Sequence, residues 1–401
     1  MAAIANLVIP GFRCGATPAA IRKPGRLDLG LIAADRPCVA AGLFTSNRVK
    51  APAVILSAQR LRRGYAQAIL VNSGNANTCV PDGMSAAKAA TAAAAAALCL
   101  LPRLVLMNST GVIGEPLPLD RLTAAIPALA ASLRPDGWPD FARAIMTTDT
   151  RMKLFYRTAG RGRNTVTIAA AAKGAGMIMP NMATMLCYVL TDAELPAGAL
   201  RQPLAAAAER SLNALTIDGD TSTSDSLILM ASGASGVRVD GAARSARLFR
   251  AALDDLLLET AEAIAADGEG ATRWFRVTVA GAATAAEADR VARRIANSPL
   301  VKTALHAADP NWGRILAAAG SAGVPLDPGR VSVRFEAVAS SVPVARNGVL
   351  AADYNEAKAR EILAGFGFTV RVSLGRGRAS RTILGCDLSA DYVRINAEYR
   401  T

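Results

Sequence analysis

Apolar and polar residues alternate, or β-branched residues cluster, at Gln67 to Asn72, Arg103 to Asn108, Thr165 to Ala171, Ser226 to Ala231, Phe275 to Ala280, Arg330 to Val338, Phe368 to Leu374, Thr382 to Cys386 and Tyr392 to Asn396, and each stretch predicts a strand. The apolar residues after Thr184 read as a further strand. Between these, apolar positions recurring every three to four residues predict helices over Ser85 to Leu100, Leu119 to Leu133, Asp140 to Met146, Ala197 to Leu212, Ala242 to Ala266, Ala285 to Ala304 and Asn355 to Ala364. Ser85 and Asp140 are placed as N-caps, and Pro127 argues against one continuous helix across Leu119 to Leu133. The elements mix without a strict βαβ rhythm or a solenoid period, which predicts an α/β fold of the layered α+β kind and not a doubly wound sheet. A chain of 401 residues suits two domains, or one large body with a smaller lobe.

Composition narrows the partners. Hydrophobic residues make up 52% and charged residues 19%, so the chain can bury a core. The net charge of +13 raises nucleic acid as a partner. The basic residues come in twos and threes, such as Arg60, Arg62 and Arg63, without the interleaved aromatics of single-strand binders, and argue against it. The apolar run Ala92 to Leu101 is too short to span a membrane, and Met1 to Pro10 lacks the basic start of a signal peptide. Six cysteines without a C-x-x-C pair suit reduced, buried thiols and a cytoplasmic location.

Candidate chemistry is narrowed by what is missing. Gly174 and Gly176 lack the third glycine of a dinucleotide loop, and no Walker A sequence occurs. Asp218 to Asp225 has neither the glycine nor the glutamate of a calcium loop and reads as a polar loop near an active site, so no metal is expected. The single histidine, His306, ends a helical pattern and reads as a packed or capping residue. Nucleophilic catalysis without histidine is open to an N-terminal threonine, whose α-amine titrates near pH 7.7–8.0 and can take the hydroxyl proton. An internal threonine reaches that state by self-cleavage, which needs a small residue before it, a tight turn and oxyanion donors. The stretch Lys173-Gly174-Ala175-Gly176-Met177-Ile178-Met179-Pro180-Asn181-Met182-Ala183-Thr184 meets the first two conditions. A threonine opening a strand is usually just a strand residue, and on local grounds alone that plainer reading is the better one.

That stretch resembles the self-processing site of the ornithine acetyltransferase family, the glutamate N-acetyltransferases of arginine biosynthesis. The resemblance extends over Gly11 to Arg13, Thr45 to Pro52, Val71 to Asn77, Asn108 to Gly114, Thr147 to Thr150, Asp267 to Thr272, Asn297 to Thr303, Asp309 to Arg314, Gly385 to Leu388 and Tyr392 to Thr401, in one order along nearly the whole chain. It implies the family's N-terminal-nucleophile-like sandwich. Cleavage between Ala183 and Thr184 would leave an α-chain, 1–183, and a β-chain, 184–401, whose part from about residue 280 forms a smaller lobe closing the active site. Thr184 would carry acetyl from N-acetylornithine to glutamate without a bound cofactor, with acetyl-CoA open as a further donor substrate. Thr110 and Gly111 would form the oxyanion hole, although on their own they also read as a turn after a strand. Thr147, Lys173, Thr184, Glu269, Asn396 and Thr401 would contact substrate, and two α- and two β-chains would assemble. Ala175, Met179, Ser224 and Arg273 depart from the commoner family residues, which leaves open a paralogue with another acceptor. A hydrolase sharing the self-cleavage, and a non-catalytic binding protein on the same scaffold, are the rival readings.

Overall fold

The computed structural model describes residues 7–179, 185–241 and 243–398. Eight strands form the larger sheet: β1 (Phe12–Thr17), β2 (Leu29–Phe44), β3 (Tyr65–Asn75), β4 (Val105–Val112), β5 (Lys153–Ala159), β6 (Val166–Lys173), β7 (Leu186–Thr191) and β8 (Ser226–Ala231). Their order is β4-β3-β2-β8-β7-β6-β5, with β1 also on β2. The sixteen-residue β2 joins two halves, because its first part pairs with β1 and β3 and Val39–Phe44 pairs with β8.

Alternation along these strands feeds two different layers. Ile32, Ile69, Ala169, Tyr188 and Ile228 share an inner core with Trp138 and Phe141 of the short α4 (Trp138–Ala144). Phe141 stacks on Trp138 with ring centroids 5.4 Å apart and meets Tyr188 edge-on at 5.3 Å. Helix α4 touches β1 and β2 on one side and β5 and β6 on the other, so the halves of the sheet close over it. The outer faces are covered by helices. On β2–β4 these are α1 (Pro52–Arg60), α2 (Gly83–Ala97) and α3 (Leu119–Ala131), and on β5–β8 they are α5 (Arg201–Arg210) and α6 (Arg244–Ala266). Aromatics are only 4% of the chain, and alanines such as Ala87, Ala90 and Ala94 let α2 pack closely.

A second sheet has the order β12-β11-β10-β13-β9-β14, built from β9 (Trp274–Ala282), β10 (Ser332–Ala337), β11 (Ser340–Arg346), β12 (Val349–Leu350), β13 (Gly367–Ser373) and β14 (Ala379–Cys386). Its core joins Phe275, Val277 and Val279 to α7 (Ala285–Ala296), α8 (Pro299–His306), α9 (Trp312–Gly320) and α10 (Glu356–Ala364). The chain is thus a layered α/β protein, as the mixed pattern predicts. No helix among the described residues is long and apolar enough to cross a membrane.

Several local expectations need correction. Tyr392 to Asn396 is helical, part of α11 (Ala390–Glu398), because its alternating Val393 and Ile395 imitate a strand while Tyr392 and Asn396 lie one helical turn apart. The segment Ala285 to Ala304 is two helices, α7 and α8, because Ser298 caps the second by accepting from Val301 N and Pro299 occupies its first turn. Helix α3 runs through Pro127 unbroken. The N-cap positions of α2 and α4 are Asp82 and Gly137, not Ser85 and Asp140, with Asp140 in the first turn instead. Cys79 and Cys99 are exposed, unlike the other four thiols.

Candidate active site

Strands β3 and β4 run parallel and end together, which brings Thr110 and Gly111 beside Gly74 and Asn75. Gly111 has φ +131°, and a Cβ there would stand 2.3 Å from the carbonyl carbon of Gly74, so only glycine fits. Thr110 is nearly buried beside it. Both line a cavity of about 180 Å³ together with Thr147, Lys173, Glu269 and Asn396. Six of the eight residues named from the sequence therefore meet in one place. The other two, Thr184 and Thr401, lie with Ala183 outside the described residues.

Each side chain in the cavity is held by chemistry that can be named. Lys173 ends β6 and donates from Nζ to Thr147 Oγ1 at 3.0 Å. Its burial pushes the ammonium pKa below its ordinary value, against the pull of Asp149, Asp225 and Glu269. Glu269 follows α6, donates its backbone N–H to Ala175 O at 2.8 Å and accepts from Asn396 Nδ2 at 2.8 Å. Gly176 permits this, because a Cβ at that position would lie 2.3 Å from Glu269 Oε2. The cavity thus presents an ammonium at one wall and a carboxylate at another, a pattern that suits a small molecule carrying both charges.

Behind the cavity lies a buried ion cluster that the sequence does not reveal. Lys153 Nζ donates to Asp149 Oδ1 at 2.7 Å and to Asp267 Oδ2 at 2.5 Å, with all three side chains at most 3% exposed. Asp149 also accepts from Gly174 N at 2.7 Å and Thr147 N at 3.1 Å, and Asp267 accepts from Thr150 N at 3.2 Å. Burial alone would raise the Asp149 pKa, but Lys153, Lys173 and the Gly174 N–H outweigh it and bring it from 3.8 to about 2. The cluster fixes Thr147, Lys173 and Glu269 relative to one another. Asp149 and Asp267 fall in the motif blocks of the sequence, whereas nothing in the sequence singles out Lys153.

The polar stretch Asp218 to Asp225 forms the remaining wall, through Asp218, Asp220, Ser222, Thr223 and Ser224. It is braced from behind by the block that begins at Thr45. Thr45 N donates to Asp225 O, Asn47 Nδ2 to Thr221 O and Ala51 N to Thr223 O. The Asp225 carboxyl is fully buried, and desolvation pushes its pKa well up against the opposing pull of Lys173 and of the Thr45 and Ser222 hydroxyls. Tyr392 reaches the cavity from α11 and donates to Asp218 Oδ2 at 3.4 Å. His306 is not among the residues lining the cavity, and its Nδ1 lies 2.7 Å from the buried Asp387, which also accepts from Thr272 N and Arg273 N. It ties the end of α8 to Asp387, and the C-cap position of that helix is Ala307.

Known proteins place this site in a family, because residues 13–401 match the ArgJ family. The chain belongs to the ArgJ family. It is 46% identical to the arginine biosynthesis bifunctional protein ArgJ of Geobacter sulfurreducens, over 98% of this chain and all of that protein. With the protein of the same name from Methylococcus capsulatus it shares 47% identity, over 98% of this chain and 96% of the other. Among solved structures, the arginine biosynthesis bifunctional protein ArgJ of Bacillus halodurans superposes with a TM-score of 0.50 at 36% identity, covering 53% of this chain and 98% of that one. The ArgJ relatives match over nearly full length, so both sheets and every cavity wall fall within the shared region.

Proposed function

We propose that this member of the ArgJ family, an enzyme of arginine biosynthesis, is a self-processed glutamate N-acetyltransferase that carries acetyl on Thr184. The observation that carries the reading is the convergence of Thr110, Gly111, Thr147, Lys173, Glu269 and Asn396 on one small cavity. In the first step Thr184 Oγ attacks the Ala183 carbonyl, the peptide C–N bond breaks, and the hydroxyl proton passes to the nitrogen. Water then opens the resulting ester and leaves a carboxylate on Ala183 and a free α-amine on Thr184. In the second step that amine takes the Oγ proton as Oγ attacks the acetyl carbon of N-acetylornithine, and the proton leaves with the ornithine amine. The glutamate amine then attacks the acetyl ester, giving N-acetylglutamate and restoring the hydroxyl.

The Thr110 hydroxyl and the Gly111 N–H stabilise the oxyanion in each attack, a contribution of about 3–4 kcal/mol per donor in comparable sites. Lys173 holds the substrate carboxylate. Glu269, steadied by Asn396, takes the ammonium, and Thr147 and the carboxylate of Thr401 complete the contacts. A cavity of about 180 Å³ suits an amino acid and is smaller than drug-sized ligands require, at roughly 300–1,000 Å³, so an acetyl-CoA donor would enter by its acetyl end with its body outside. No bound cofactor is needed. Two α- and two β-chains in the cytoplasm complete the proposal.

Intact-mass measurement of the purified protein should show two fragments divided between Ala183 and Thr184. With N-acetylornithine and glutamate these should yield N-acetylglutamate. Free acetate as the sole product would make the enzyme a hydrolase, and a chain that stays whole would remove the nucleophile.

A further inference from the structure

The backbone on the two sides of residues 180–184 is tied to a single short stretch, residues 217–226. Upstream, Met177 N and Ile178 N donate to the two oxygens of Asp218 at 2.6 and 2.8 Å, Ile217 N donates to Ile178 O at 2.7 Å, and Thr221 Oγ1 donates to Met179 O at 2.8 Å. Downstream, Ser226 N donates to Met185 O at 2.9 Å, and β7 continues in parallel register on β8. Met177 has φ +55°, a left-handed conformation that costs a non-glycine residue about 1–2 kcal/mol. The paired bonds to Asp218 hold it there. Thr221 does not line the cavity, and its hydroxyl is engaged with Met179.

We propose that Asp218 and Thr221 are positioning residues for self-cleavage, holding the upstream backbone so that the carbonyl before Thr184 stays in reach of its hydroxyl. The proposal rests on the self-cleavage reading. Attack by a neighbouring hydroxyl depends steeply on placement, and a displacement of about 1 Å costs on the order of 100-fold. Asp218 and Thr221 act through hydrogen bonds to residues 177–179 and not on the reacting atoms. Thr221 therefore controls how fast the chain matures and leaves the matured enzyme's turnover alone.

The test follows full-length chains from cell-free synthesis by quenched intact mass, for the wild type, Thr221→Val, Thr221→Ser and Asp218→Asn. Thr221→Val removes only the hydroxyl and should cleave at least about tenfold more slowly, with Thr221→Ser restoring the rate to within about threefold. Once cleaved, Thr221→Val should transfer acetyl with kcat and KM per cleaved molecule within about twofold of wild type. Cleavage of Thr221→Val at the wild-type rate overturns the proposal. So does a kcat per cleaved molecule that falls in step with the cleavage rate, because Thr221 would then serve the transfer site. If Thr221→Val melts far below wild type, Asp218→Asn decides the matter on the same cleavage readout, and wild-type speed there overturns the proposal. A wild-type chain that never divides refutes the self-cleavage reading itself, and that outcome is visible without any variant.

Discussion

Asn396 Nδ2 donates to Glu269 Oε2 at 2.8 Å, which fastens the final helix α11 to the loop after α6. Glu269 is 7% exposed, and Asn396 is its side-chain donor from that helix. Replacing Asn396 with Ala removes a hydrogen bond to a charged group, worth about 1.5–3 kcal/mol. If Glu269 receives the side-chain ammonium of the donor, Asn396→Ala should raise KM for N-acetylornithine at least about tenfold with a smaller change in kcat, measured by steady-state kinetics. An unchanged KM would remove Glu269 and Asn396 from the binding site.

That bond also marks where the sequence stops being readable. Tyr392-Val393-Arg394-Ile395-Asn396 has the alternation of a strand, yet it folds as a helix because the pattern is too short for period alone to decide and docking on the 269–271 loop supplies the rest. The strands buried on both faces, such as Ser226 to Ala231, are legible because nearly every residue in them is apolar. The long β2 is missed, since Ala33, Ala34, Asp35, Arg36 and Pro37 interrupt it where its register shifts. Motif blocks locate Thr110, Gly111, Thr147, Lys173, Glu269 and Asn396 in one cavity. They give no sign of Lys153, because a lone lysine opening a strand looks solvated until its two buried carboxylates are brought to it from residues 149 and 267.

Lys153→Met leaves Asp149 and Asp267 buried without their shared cation, and breaking such a pair costs about 3–5 kcal/mol. The variant should unfold at a clearly lower urea midpoint at pH 7. Asp149 has its folded pKa below its unfolded one, so its contribution is complete above pH 3.8 and is lost as the pH falls towards about 2. The gap between wild type and variant should therefore be full at neutral pH and narrow across that acid window. A gap that stays constant down to pH 2 would show that Asp149 is not held ionised by Lys153.

Gly111→Ala tests the oxyanion assignment through packing. The added methyl would lie 2.3 Å from Gly74 C and 2.5 Å from Asn75 N, both backbone atoms that cannot swing aside, so the end of β4 must retreat and carry its N–H with it. Removing one oxyanion donor lowers kcat by about 10²–10³-fold. Gly111→Ala should show a loss of that order with KM nearly unchanged, and Thr110→Val should fall in the same direction. Wild-type kcat in Gly111→Ala would take the Gly111 N–H out of the mechanism.

Lys173 gives the pH dependence a definite sign. Burial lowers its pKa, and Asp149, Asp225 and Glu269 only partly restore it, so the ammonium loses its proton at a lower pH than the ordinary 10.5 of an exposed lysine. A neutral amine cannot hold a carboxylate by charge. Because kcat/KM for the first substrate reports the ionisation of the free enzyme, its value for N-acetylornithine should decline on the alkaline side at a pH below 10.5, beyond the rise that the proposed mechanism assigns to deprotonation of the Thr184 amine. Lys173→Arg carries a guanidinium that stays charged throughout, and its weaker activity should lack that decline. Profiles of kcat/KM measured on cleaved enzyme would distinguish the two, and an identical alkaline limb in Lys173→Arg would assign the titration to another group.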